Sequence, residues 1–230
     1  MTTLALVLAT ALLLGMLHAF DPDHLAAVTA FIARRPSARS AMVFATRWAA
    51  GHAATLLVAG LACTLFSLVI THDIAVAAEL AVGAMLMSVG IWVLLGLARG
   101  RLLLAHHMHG ESGHTHLHRP GHPLATSDRA AGHSIFWVGA LHGLAGSAGF
   151  VVIIPVAMLA SAWQVIAYIL VFSFGVAAAM AVYALAIGGL FGRVARRSAR
   201  WYPWVTAATG TSTVLLGMIW IALTLGGLTA

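Results

Sequence analysis

Apolar residues in this chain fall in long unbroken runs rather than in alternation, which predicts membrane-spanning helices. A helix needs about 20 apolar residues to cross the ~30 Å of hydrocarbon in a bilayer. Six segments reach that length, roughly 3–33, 41–70, 74–98, 134–160, 163–191 and 203–228. One long polar stretch, RGRLLLAHHMHGESGHTHLHRPGHPLATSDRAAGH, separates the third from the fourth. The pattern predicts an all-α polytopic membrane protein. The opening MTTLALVLAT has no basic residues, and its apolar run outlasts a signal peptide, so it reads as the first span and not a cleaved leader.

Composition agrees: of 230 residues 61% are hydrophobic and 8% charged, where a soluble domain carries roughly 25% charged residues. Charge then orients the spans. All 12 basic residues are arginine, and they lie at 34, 35, 39 and 47, at 99, 101, 119 and 129, and at 193, 196, 197 and 200. With alternating spans every arginine falls on one face, which the positive-inside rule assigns to the cytoplasm. Both termini are then extracytoplasmic and the polar stretch is cytoplasmic, in a multi-pass protein of the inner (plasma) membrane. The high isoelectric point thus reflects orientation in a lipid bilayer, and no nucleic-acid partner is expected. Cys63 stands alone in an apolar stretch, so no disulfide framework exists.

An internal repeat runs through the apolar pattern. GMLHAFDPDHLAAV at 15–28 aligns with GALHGLAGSAGFVV at 139–152, an offset of 124 that pairs His18 with His142. At the same offset GHAATLLVAGLA (51–62) aligns with GVAAAMAVYALA (175–186). A unit of three spans is odd, so its copies must be inverted in the membrane, as in many secondary transporters that bind substrate near the midplane on interrupted helices. The expected organisation is a first three-helix repeat over 1–98 carrying a metal motif, a cytoplasmic histidine-rich loop over 99–133, and a second three-helix repeat over 134–230. The halves are chemically unequal, since Asp21, Asp23 and His24 correspond to Ala145, Ser147 and Ala148.

The costliest residues interrupt the first span, in HAFDPDH at 18–24. An ionised aspartate at the bilayer centre costs at least ~2.5–3.5 kcal/mol. Pro22 breaks the helix and frees the carbonyl of His18, a potential hard ligand. On an unbroken helix Asp21 and Asp23 would point nearly opposite ways, so convergence of His18, Asp21, Asp23 and His24 requires that break. Imidazole with carboxylate suits nickel, cobalt or zinc, whereas magnesium and calcium prefer all-oxygen shells. His52 and His142 lie deep in later spans and join the candidate metal ligands. The competing account is that these groups pair among themselves to stabilise the bundle. Gly139, Gly143, Gly146 and Gly149 fit close helix packing, or a thinned wall beside a metal path. Glu79 belongs near the outer surface by His72 and Asp73, in a solvated turn or an outer collecting site. Thr206, Thr209, Thr211, Ser212 and Thr213 read as hydroxyl packing between helices.

The loop carries seven further histidines, His106, His107, His109, His114, His116, His118 and His122. They form an accessory metal-binding segment with too few apolar residues to pack a core, so disorder without metal is expected. It would buffer, deliver or sense metal.

His18-Ala-Phe-Asp21-Pro-Asp23-His24 resembles the H-x4-D-H signature of the nickel/cobalt transporter (NiCoT) superfamily, in which an alanine usually stands where this chain has Pro22. GHAAT at 51–55 resembles that family's G-H-S-T motif. HGLAGSAG at 142–149 is more similar to the urease-accessory-type six-span nickel permeases than to larger members, whose corresponding region is D-T-A-T-E-like. The resemblance implies a transporter of Ni²⁺ and/or Co²⁺, with His18, Asp21, Asp23, His24 and His52 essential and metal as substrate, not as catalytic cofactor. Uptake is the preferred direction; efflux for metal resistance and membership of a multi-component importer are the alternatives. A metalloenzyme is disfavoured, because no H-E-x-x-H and no general base beyond the ligands occur. Expected partners are the divalent ion and the lipid bilayer, with a homo-oligomer or a cytoplasmic metallochaperone compatible with the loop.

Overall fold

A computed structural model of the protein describes residues 2–34, 36–66, 71–99, 104–109, 112–117, 127–144, 159, 161–198 and 200–228; for 2–3, 104–109, 112–117, 127–133 and 228 it describes backbone alone. The helices are α1 (Thr2–His18), α2 (Pro22–Arg34), α3 (Ala38–Phe66), α4 (His72–Ala98), α5 (Ser127–Leu144), α6 (Ala162–Arg197) and α7 (Tyr202–Leu228). Among the described residues, α3, α4, α6 and α7 are long and apolar enough to cross a membrane, and α1 with α2 makes a fifth if that bent pair is one span. This is a multi-pass membrane protein. The expected fourth span is described only as far as Leu144, and its remainder, 145–158, lies outside the described residues, as do Gly146 and Gly149.

The break at Pro22 is present, and its geometry differs from the expectation in one respect. The axes of α1 and α2 meet at 56° across three residues. The amides of Phe20 and Asp21 turn back to the carbonyls of Leu17 and His18, both at 3.0 Å, and the Asp21 carbonyl then accepts from Leu25 at 3.1 Å. Pro22 is therefore the first residue of a new helix, where its missing N–H costs nothing. The His18 carbonyl, expected free, already takes the Asp21 amide.

Close backbone approaches at glycine set the helix arrangement. A Cβ on Gly15 would strike the carbonyl of Phe172, and one on Gly175 would lie 2.5 Å from that of Leu12, so α1 and α6 cross with backbones nearly touching. A Cβ on Gly139 would strike the carbonyl of Trp48, and one on Gly51 that of Phe136, so α5 crosses α3 in the same way. These two crossings correspond: adding 124 to 12, 15, 48 and 51 gives 136, 139, 172 and 175. The last pair has its own correspondence. Gly90 would meet the Gly210 carbonyl at 2.6 Å and Gly217 would meet the Gly83 carbonyl at 2.6 Å, an exchange at an offset of 127.

α3 and α6 run antiparallel, with Gly60 against Ile169 and Gly188 against Ala41 and Ser37. Gly192 faces the Pro36 carbonyl and Gly96 lies under the Arg34 guanidinium. The Tyr202 hydroxyl donates to the Ala33 carbonyl. The ends of α2, α4 and α6 thus meet the starts of α3 and α7, which gathers Arg34, Arg39, Arg99, Arg193, Arg196, Arg197 and Arg200 at one end. There Arg34 stacks 3.5 Å over the Trp92 ring.

The membrane body is helical, as the sequence predicts. In the connection between α4 and α5 the chain pairs as an antiparallel hairpin, β1 (Leu104–His109) with β2 (Ser112–Leu117), His107 opposite His114. Disorder was the expectation for this segment. Cross-strand backbone hydrogen bonds satisfy the chain locally and require no apolar core.

Candidate metal centre

Five polar side chains from four helices converge in the centre of the bundle. His18 is the last residue of α1, Asp23 and His24 lie in the first turn of α2, His52 lies midway along α3, and His142 lies in the last turn of α5. Each is buried, from 5% exposed at His18 to 0% at His142. The 56° bend lets His18 and His24 meet, with ring centroids 4.6 Å apart. The α3–α5 crossing does the same for the others, since Gly143 would place a Cβ 2.6 Å from the His52 carbonyl. Any side chain there would push His142 away from His52.

Ligand atoms cluster in two triads that share His24: His18, His24 and His52, and Asp23, His24 and His142, with the atoms of each within 4.8 Å of one another. Tetrahedral ligands on bonds of ~2.0–2.1 Å sit about 3.4 Å apart. Either triad would therefore draw in by roughly an ångström around an ion, a side-chain adjustment.

The other ring nitrogens are held from behind. His18 Nδ1 is 2.9 Å from Asp21 Oδ2. His24 Nδ1 is 2.8 Å from Asp23 Oδ1, which also accepts the His24 amide at 2.9 Å. His142 Nδ1 lies 2.9 Å from the Val138 carbonyl and 3.4 Å from the Trp48 indole nitrogen. A carbonyl can only accept, so His142 Nδ1–H donates to Val138 and the longer indole contact is packing rather than a hydrogen bond. An acceptor on Nδ1 fixes the tautomer that leaves Nε2 with its lone pair, the arrangement by which proteins orient metal-binding histidines. The Nε2 atoms of His24, His52 and His142 are buried without a hydrogen-bond partner in the protein. Asp23 Oδ2 faces His142 Nε2 at 3.8 Å.

Of the residues singled out in the sequence, the structure brings together His18, Asp23, His24, His52 and His142. Asp21 stands apart, behind His18 and partly exposed, where it orients the ring. His106, His107, His109, His114 and His116 lie on the hairpin strands, while His118 and His122 lie outside the described residues. Glu79 accepts a hydrogen bond of 2.6 Å from the Trp220 indole, which ties α4 to α7. His72 and Asp73 are exposed at the start of α4, capped by Thr71. Thr209 and Thr213 donate to the Val205 and Thr209 carbonyls of their own helix.

The chain is 30% identical over 191 residues to the urease accessory protein UreH of Bacillus sp. (strain TB-90), a match covering 83% of this chain and 80% of that protein. The chain belongs to the UreH family. No protein-family model matches it, and no solved structure does.

Sequence reasoning missed one residue at the centre of this UreH-family protein. Trp48 is fully buried, and its ring lies 4.9 Å from His24, 5.1 Å from His52 and 5.7 Å from His142. Its signal was the spacing to His52: residues four apart share a helix face.

Proposed function

We propose that this chain is a secondary-type permease that carries a divalent first-row transition metal, Ni²⁺ and/or Co²⁺, through the plasma membrane into the cytoplasm. The observation that carries the reading is that ligand atoms of His18, His24 and His52, and of Asp23, His24 and His142, gather within 4.8 Å while the buried Nε2 atoms of His24, His52 and His142 have no hydrogen-bond partner. Leaving a buried polar atom unsatisfied costs about 1–3 kcal/mol, so a cluster of them calls for a ligand that satisfies several at once. An ion pair network would stabilise the bundle without leaving such atoms open.

In this reading His18, His24, His52 and His142 supply nitrogen and Asp23 supplies oxygen. Imidazole-rich sites suit nickel and cobalt and disfavour magnesium and calcium. Asp23, with Asp21 behind His18, carries charge that a dication would balance at a depth where an isolated charge is costly. Membership of the UreH family and the motif resemblance to nickel/cobalt transporters support metal as cargo and nickel as its identity.

The proposed architecture is six spans in two inverted three-helix repeats, the fourth completed by residues after Leu144. The reciprocal crossings of α1 with α6 and α3 with α5 support it, because equivalent glycines meet equivalent carbonyls. The gathered arginines support a cytoplasmic assignment for that end and for the hairpin. The hairpin histidines would buffer metal on arrival.

The test is flux of ⁶³Ni²⁺ into proteoliposomes holding this protein alone. Wild-type protein should accumulate label, and Asp23→Ala should not. Equal flux in both would exclude the cluster from the pathway; no flux in either, under proton and potential gradients, would exclude an autonomous permease. Growth in excess nickel gives direction, since uptake sensitises cells and efflux protects them.

A further inference from the structure

The metal cluster is bounded by two aromatic rings that the fold relates to each other. Trp48 presses on His24, His52 and His142. The ring of Phe172, also fully buried, lies 5.5 Å from His18. The shift of 124 residues that carries His18 to His142 carries Trp48 to Phe172, so the contacts His142–Trp48 and His18–Phe172 are counterparts. The relation extends to the backbone, because the carbonyls of these same two residues receive Gly139 and Gly15.

The two rings approach the cluster from opposite ends of the bundle. Trp48 is ten residues into α3, which starts at the arginine-bearing end. Phe172 is ten residues into α6, which runs antiparallel to α3 and starts at the other end. At ~1.5 Å per residue each lies about 15 Å in from its own end. One ring therefore stands on each side of the site, and neither offers a dication a ligand atom in place of water.

We propose that Trp48 and Phe172 are the two closures of the metal site, Trp48 toward the arginine-bearing face and Phe172 toward the opposite face, and that the ion enters or leaves when one ring swings aside. This rests on the metal-transport reading. A membrane carrier must never open both sides together, and an inverted pair of bulky rings provides one barrier per side from one ancestral contact. Among the described residues, Trp48 lies against His24, His52 and His142, and Phe172 lies against His18.

Full-length protein in nanodiscs, with the seven loop histidines changed to serine, tests this with Co²⁺, whose visible absorption reports imidazole ligation. Stopped-flow mixing gives association rates, and excess EDTA gives release rates. Trp48→Ala and Phe172→Ala should each speed both rates by about tenfold or more, with Kd changed less than about threefold, as expected when a gate and not a ligand is removed. Trp48→Phe should behave as wild type. In proteoliposomes with EDTA on one side only, the two alanine variants should speed release toward opposite faces. Unchanged rates, or a weakened Kd with an altered Co²⁺ spectrum, would mean that the rings only shape the ligands and would overturn the proposal. Should an alanine variant fail to fold, Trp48→Leu and Phe172→Leu carry the same prediction. Wild-type protein that binds no Co²⁺ would instead overturn the transport reading, and the closures with it.

Discussion

This protein places histidine in two settings that ask different things of it. The intramembrane set is smaller than the loop set, yet each member sits on a rigid helix, and three have an acceptor on Nδ1: Asp21 for His18, Asp23 for His24 and the Val138 carbonyl for His142. The loop set is more numerous and rides on a short two-stranded hairpin and its flanks. A rigid, oriented site binds selectively and releases on command of the fold, whereas a hairpin rich in histidine offers many interchangeable ligand sets. The comparison teaches that arrangement, and not the number of donors, distinguishes the intramembrane set.

The largest effect should come from removing a donor shared by both triads. His24→Ala is expected to lower reconstituted Ni²⁺ flux at least about 100-fold, with the amount of folded protein in membranes little changed, because loss of even an outer partner of a metal ligand costs 10–100-fold. Retention of more than a tenth of wild-type flux would break the contrast. Next in size is Gly139→Ala. Its Cβ would collide with the Trp48 carbonyl, and overpacking of this kind typically costs about 1–3 kcal/mol. Thermal stability in detergent should fall and flux with it, while Gly189→Ala, which meets nothing within 4 Å, should leave both unchanged or slightly improved.

Asp21→Asn sharpens the comparison, because it keeps an acceptor for His18 but removes a charge beside the pathway. Flux at low metal should fall about tenfold through weaker binding, with recovery at saturating metal; a loss that high metal does not recover would place Asp21 in the ion's path. The smallest effect belongs to the loop. Changing its seven histidines to serine should alter proteoliposome flux by less than about threefold, since a ligand set outside the spanning helices adds no barrier or binding step inside the membrane. A collapse of flux there would move the selective site out of the bilayer.

Much of the site was legible in the sequence because its chemistry is so costly. His18, Asp23 and His24 stand out against an apolar run, Pro22 signals a break, and His142 answers His18 at the repeat offset. The helix pattern was legible for the same reason: apolar runs of span length have few other folds open to them. Four details were not. Asp21 was grouped with the ligands, but which carboxylate faces the cluster depends on how the chain turns between Ala19 and Asp21. The His18 carbonyl was expected free, but a tight turn can give it the Asp21 amide without regular helix. Trp48 looked like one more apolar residue, and only the α3–α5 crossing reveals that its ring meets three histidines. The hairpin escaped notice because a polar segment can pair its backbone without an apolar pattern to announce it.

The most direct measurement is the metal-edge X-ray absorption spectrum of full-length protein loaded with one equivalent of Ni²⁺, its loop histidines changed to serine. The account predicts stoichiometric binding with at least three imidazole nitrogens at about 2.0–2.1 Å, and loss of that signature in His24→Ala. A shell of oxygen alone, or the same spectrum in wild type and His24→Ala, would contradict a metal site built by His18, Asp23, His24, His52 and His142.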